Sequence, residues 1–303
     1  MDNKLPKGKG LYVWSIENMP DMWVDKFQDM GITWIAVKIA DGVNSSNLRR
    51  LADGSKVDDI LLPFIDKASQ FCKKIFGWQY VYGFNPLDEA DKAARRVKEF
   101  ELDGFIIDAE HQYYRKHAQA KQYSKMLRQL MPDVPIGLST YRFPVLHPTL
   151  PYKEFLKICD FNAPQVYWNA GKAGKELRES YRQYEKIKLL PFIPAGRAYY
   201  GESGFPKPTP AETIDFLTTA QELGCPAAFF WSADALYHRT RSLPEIRKAI
   251  ADYKWIGVGE PIPPEPPDEI PSGNHLMVDK LRVISIDNKI YENDNPIWLT
   301  KKE

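Results

Sequence analysis

The 303 residues carry 41 basic and 40 acidic side chains, a formal charge of +1, with 44% hydrophobic and 27% charged residues. That is an ordinary globular composition, and it lacks the basic excess that marks nucleic-acid or anionic-membrane partners. No apolar run approaches the ~20 residues needed to span a bilayer, and the length suits one large domain with an appendage, or two domains.

The opening MDNKLPKGKGLYVW has no apolar h-region, so synthesis in the cytoplasm without a secretory signal is the expectation. Short apolar runs rich in β-branched and aromatic residues then follow at intervals of roughly 20 to 40 residues, each bounded by Gly, Pro or Asp. They are GLYVWS (10–15), ITWIAVKIA (32–40), IFGWQYVYG (75–83) and GFIIDAE (104–110), then PIGLSTY (135–141), FNAPQVYW (161–168), LLPFIPAG (189–196) and PAAFFWSA (226–233). Amphipathic stretches separate them, among them 88–103, 119–133 and 209–224. The last of these opens on Thr209, Pro210 and Glu212 and closes on Gly224, the signs of a capped helix. LPEIRKAIADYKW (243–255) completes the alternation. Eight strands alternating with helices over about 250 residues predict a (β/α)8 TIM barrel over 1–255, within the α/β class. No GxGxxG turn follows the first strand, which counts against a dinucleotide-binding open sheet.

After Trp255 the texture changes. Residues 256–273 are dense in Pro and acidic residues and read as a semi-rigid linker. Residues 274–303 alternate apolar and polar around Asp287-Asn288, which predicts a small β-hairpin-like tail. A lone hairpin is marginal in water, so the tail is expected to pack on the barrel or on an assembly partner.

The three cysteines, Cys72, Cys159 and Cys225, lie far apart without metal-ligand spacing and read as small buried hydrophobes. The five histidines are scattered, no HExxH or Walker loop occurs, and neither metal nor cofactor is expected.

The chemistry concentrates at the end of the fourth run. Residues two apart on a strand share a face, so Asp108 and Glu110 point together, above Ile106 and Gly104. A barrel carries its active site at the carboxyl ends of its strands, where this pair falls. Two adjacent carboxyls cannot both ionise cheaply, so one is held protonated, as a general acid near neutral pH requires. Glycosidic cleavage needs such an acid and a second group that stabilises an oxocarbenium-like state. Other strand ends supply polar and aromatic candidates for sugar binding: Lys38 with its partner Asp41, Trp78 in alternation with Tyr80 and Tyr82, Tyr141, Gln165 with Tyr167, Arg197 and Trp231. The aromatic content of 13%, with 8 Trp and 16 Tyr, fits either sugar stacking or a large core.

DGFIIDAE (103–110) resembles the signature of the family 18 chitinases, in which Asp-Gly opens the fourth strand and Asp-x-Glu closes it. Tyr167 in PQVYWN and Trp231 in AAFFWSAD fall where that family carries a strand-six tyrosine and a pocket-flooring strand-eight tryptophan. The resemblance implies a retaining hydrolase of a β-linked, N-acetylated amino sugar polymer. In it, Glu110 would be the general acid, Asp108 would orient the substrate acetamido group, and Tyr167 would hydrogen-bond that group. Ile106 stands where the family signature has a further Asp. The chain also resembles the family 25 lysozymes, barrels with Asp-x-Glu ending the fourth strand, many of them phage-encoded. Their first-strand Asp has no counterpart in YVWSIENM, where only Glu17 is acidic. Both families imply peptidoglycan or a chitin-like polymer as substrate, and the second implies a lysin, phage-borne or released to the cell wall. The competing expectation is a non-catalytic carbohydrate-binding or structural module that keeps the barrel. A third expectation makes 274–303 an assembly element.

Overall fold

The computed structural model describes residues 4–50, 56–57, 60–201 and 205–256, and four short strands beyond them. The chain divides into two units, Met1–Glu260 and Pro261–Glu303. In the second, His275–Val278 pairs antiparallel with Ile297–Thr300, and Leu281–Ile284 with Ile290–Asn293. The linker expected over 256–273 lies, from 257 onward, outside the described residues, as does the turn expected at Asp287-Asn288.

The first unit is a (β/α)8 barrel. Its strands are β1 (Gly8–Val13), β2 (Ile32–Asp41), β3 (Lys74–Val81), β4 (Gly104–Ala109), β5 (Ile136–Ser139), β6 in two pieces (Phe161–Asn162 and Gln165–Val166), β7 (Ala195–Arg197) and β8 (Ala227–Trp231). Neighbours pair parallel in chain order, and β8 returns to β1 with Gly10 opposite Phe229. Closure passes through the broken β6. Asn162 and Pro164 accept from Ile193 and Ala195 N–H on one side, and Ala163 and Gln165 N–H donate to Leu138 and Thr140 on the other.

The seventh strand is shorter than the run 189–196 predicts. Pro191 and Pro194 have no N–H to give a ladder, so regular pairing begins only at Ala195. The helices fall as the amphipathic pattern predicts. They include α1 (Pro86–Glu99) with Pro at its start, α2 (His117–Leu130), α3 (Pro210–Glu222) and α4 (Pro244–Asp252). On α3 the Thr209 side chain accepts from Glu212 N at 3.2 Å while Glu212 Oε2 accepts from Thr209 N at 2.8 Å, the reciprocal box read from the sequence.

Strand period sorts the apolar residues into two layers. Phe105, Ile107 and Ala109 face the helices, whereas Tyr12, Trp34, Phe76, Trp78, Ile106, Phe161 and Phe229 fill the barrel. Large and small residues alternate around that interior. A Cβ on Gly10 would lie 2.3 Å from the Trp34 ring, one on Gly104 2.3 Å from Phe76, and one on Gly137 2.2 Å from Phe161. The missing side chains therefore make the room that the rings occupy. This plug closes the barrel below the carboxyl ends of the strands and leaves the last inward residues to wall a cleft.

Cys159 and Cys225 are buried, Cys72 is half-buried, and all three are free thiols, with burial raising Cys72 and Cys225 to about 12. No helix among the described residues is long and apolar enough to cross a membrane. No group of three His, Cys, Asp or Glu among them could hold a metal ion.

Candidate active site

The carboxyl ends of the strands enclose a cleft of about 390 Å³. Its walls are Trp14, Lys38, Trp78, Tyr80, Asp108, Glu110, Gln165, Tyr167, Tyr199 and Trp231. They come from the ends of β1, β2, β3, β4, β6 and β8 and from the segment after β7. Strand period brings Asp108 to Glu110, Trp78 to Tyr80 and Gln165 to Tyr167, but it does not bring these pairs to one another. The shared register does, since Tyr80 pairs with Asp108, Asp108 with Ser139, and Tyr141 with Gln165 around the rim.

At the centre is one nitrogen between two carboxyls. Gln165 Nε2 donates to Asp108 Oδ1 at 2.9 Å and to Glu110 Oε1 at 2.9 Å. The two oxygens therefore lie no farther apart than twice that distance. Asp108 is 5% exposed, and burial first, then the Glu110 charge, pushes its carboxyl well above the usual carboxylate range. Lys38 and the Gln165 hydrogen bond act in the opposite direction. Burial thus drives the deep Asp108 toward the protonated form.

Lys38 Nζ is held 2.9 Å from Asp41 Oδ2 and 5.1 Å from the centre of the Trp78 ring. Asp41 in turn accepts from Tyr82 Oη at 2.7 Å. Asp41 thus binds the lysine that lines the cleft and itself faces the neighbouring cavity under Tyr82 and Phe84. Trp231, Trp78 and Tyr12 form an edge-to-face set, with Trp231 5.2 Å from Tyr12 and 5.5 Å from Trp78. The Trp231–Ser232 peptide is cis. Tyr167 meets Tyr199 edge to face at 5.4 Å, and burial raises its phenol above the ordinary range.

The structure thus gathers Glu110, Asp108, Tyr167, Trp231, Gln165, Lys38 and Trp78 around one cleft, with Asp41 behind Lys38. Tyr141 and Arg197 have other places. Tyr141 stacks on His147 at 3.7 Å, outside the cleft lining. Arg197 is fully buried, donates from Nη1 to Pro206 and Tyr199 carbonyls, and lies 5.7 Å from Trp168 and 5.2 Å from Phe205. It pins the segment after β7 and does not line the cleft. Asp234 is a latch: it accepts Trp14 N at 2.8 Å and Ser15 N at 2.9 Å, while Ser232 caps the single turn Ala233–Leu236. Glu17 is exposed and lines none of the cleft.

Trp14 and Tyr199 were not anticipated. Trp14 was legible, because it lies two residues beyond the inward Tyr12 on the same strand face. Tyr199 follows the end of β7, where no period applies.

No family model matches the chain, and no curated protein matches it in sequence. Solved structures do match. A family 18 chitinase from Pseudoalteromonas aurantia is 17% identical with a TM-score of 0.60, covering 80% of this chain and 98% of that one. The spore cortex-lytic enzyme SleL of Bacillus megaterium is 12% identical with a TM-score of 0.53, covering 82% of this chain and 74% of that one. A xylanase-A-amylase inhibitor protein is 12% identical with a TM-score of 0.55, covering 81% of this chain and 98% of that one.

The chain shares their barrel. At these identities the likeness is one of fold, and function rests on the site.

Proposed function

We propose that this chain is a retaining glycoside hydrolase acting on a β-linked, N-acetylated amino sugar polymer, peptidoglycan or chitin-like, with Glu110 as general acid. The observation that carries the reading is the Asp108–Gln165–Glu110 bridge at the base of an aromatic cleft. Glu110 is the less buried carboxyl and is placed to protonate the leaving glycosidic oxygen. Asp108 receives the acetamido N–H as the acetamido oxygen attacks the anomeric carbon, and Tyr167 steadies that group. Trp231 supports the sugar face. The chitinase and the cortex-lytic enzyme that share the fold support the same class of substrate.

Ile106 occupies the barrel interior where a third carboxylate would complete the family signature. In this chain Lys38 and Gln165 favour the ionised form of Asp108, the opposite of what a third carboxylate would do. The test is reducing-end release from purified peptidoglycan and chitin oligomers, with product masses, by wild type beside Glu110→Gln. Release that falls by 10²-fold or more in the variant supports the reading, since general acid catalysis contributes about that factor. Less than tenfold loss overturns it.

The second reading is a sugar-binding module without turnover. Ile106 favours it, as does an inhibitor protein with the same fold. It predicts binding with no release. The 274–303 tail is proposed as an assembly element, and deleting 257–303 should then abolish docking to a larger particle while the barrel keeps its thermal transition. A phage or cell-wall setting is part of the same proposal.

A further inference from the structure

The cleft continues past Trp231. Trp14, Tyr199 and Trp231 also wall a second cavity of about 590 Å³, which runs over the segment following β8. Its far side carries His238, Arg239 and Arg241. Among its described lining residues Asp234 is the one carboxylate, and both of its oxygens already accept backbone N–H groups, from Trp14 and Ser15. Arg239 is exposed and Arg241 half-buried, its Nη1 3.4 Å from the Tyr200 carbonyl. On the opposite flank, beside β2 and β3, Asp41 pairs with Lys38, Glu89 accepts the Tyr82 and Gly83 N–H groups, and Lys116 lies over Phe84.

The cavity beyond Trp231 thus presents two guanidinium groups whose one described carboxylate neighbour is already engaged. A carboxylate matches such a pair, because a guanidinium holds it through two parallel hydrogen bonds. We propose that the cavity beyond Trp231 is a subsite for a carboxylate pendant from the sugar chain, bound by Arg239 and Arg241. The substrate is then an acidic, peptidoglycan-type polymer and not neutral chitin. This rests on the glycan reading of the cleft and adds to it the charge of the glycan. A sugar stacked on Trp231 stands at the wall shared by both cavities, so its own substituent or that of its neighbour reaches the arginines.

The experiment is a calorimetric titration of Glu110→Gln, which holds ligand without turnover. The probes are a peptidoglycan tetrasaccharide with free lactyl carboxylates, the same molecule with those groups as methyl amides, and chitotetraose. The free carboxylate should bind about tenfold or more tighter than its amide, as expected for charge-assisted hydrogen bonds, and the gap should shrink as salt rises. Adding Arg239→Gln and Arg241→Gln should erase the gap and leave chitotetraose binding unchanged. Arg239→Lys with Arg241→Lys should keep part of it, which separates charge from loop damage. Equal affinity for carboxylate and amide overturns the proposal, as does a gap that survives the Gln variants or the absence of binding by any probe. Failure of the hydrolase reading shows elsewhere, as no reducing-end release by wild type, and leaves these affinities as they are.

Discussion

Gln165 and Asp108 stand 57 residues apart in sequence and are joined by a 2.9 Å hydrogen bond from Nε2 to Oδ1. The bond binds the second half of the barrel to the first at the point where the carboxyls meet. It also opposes, without cancelling, the push of burial toward the neutral carboxyl.

Gln165→Leu removes that donor while keeping the volume close. The Asp108 carboxyl should then rise further, because one of the influences lowering it is gone. If ionised Asp108 is needed to hold the acetamido group, the acidic limb of the rate profile moves to higher pH. Activity at pH 6 should fall by about 10-fold or more, the size of a lost hydrogen bond to a charged group. A pH–kcat/KM series checks it, and an unmoved acidic limb would count against the role of the bridge.

Asp108→Asn should stabilise the fold as it removes activity. Native Asp108 holds its proton more tightly than the unfolded chain does, so its stabilising contribution is complete at low pH. That contribution is lost as pH climbs from the ordinary carboxylate range through the raised native value. The amide has no such loss. The melting temperature of the variant should therefore exceed that of wild type by a margin small near pH 4 and larger near pH 8. Every tenfold difference in proton affinity between the native and unfolded carboxyl is worth about 1.4 kcal/mol. A margin that shrinks with pH would refute the assignment of the buried charge.

Trp231→Ala should cost at least about tenfold in oligosaccharide affinity, since covering a sugar face of roughly 60 Å² at about 25 cal/mol per Å² is worth ~1.5 kcal/mol. Trp231→Phe should restore most of it. Titration of Glu110→Gln carrying each change gives the answer, and equal affinities would remove Trp231 from the binding surface.

Gly104→Ala tests the barrel interior. The added methyl would lie 2.3 Å from two atoms of the buried Phe76 ring, in a layer with no room to yield. Destabilisation of about 1–3 kcal/mol, as for overpacked cores, is expected by urea unfolding. Phe76→Leu in the same chain should recover part of it. A neutral Gly104→Ala would mean the interior is looser than the register implies.

Much of this molecule was readable in one dimension. Hydrophobic period located the strands, and Asp-x-Glu placed Asp108 and Glu110 on one face because strand geometry leaves no alternative. Thr209 and Glu212 announced their helix start through purely local hydrogen bonds. The pairing of Lys38 with Asp41 was legible for the same reason, being three residues apart. Arg197 and Tyr141 stand outside the cleft lining, because a strand end says which residues leave the sheet, not which way a long side chain then turns. Arg197 turned toward carbonyls and the Trp168 and Phe205 rings.

The sequence by itself thus determined the barrel class, the strand and helix succession and the carboxyl pair, since each follows from contacts within a few residues along the chain. Only the tertiary structure decided that Gln165 would bridge that pair, that Asp234 would latch Trp14, and that Arg239 and Arg241 would border the same groove as Trp231. Those relations depend on the register in which distant strands close the barrel, and the packing of the whole interior sets that register.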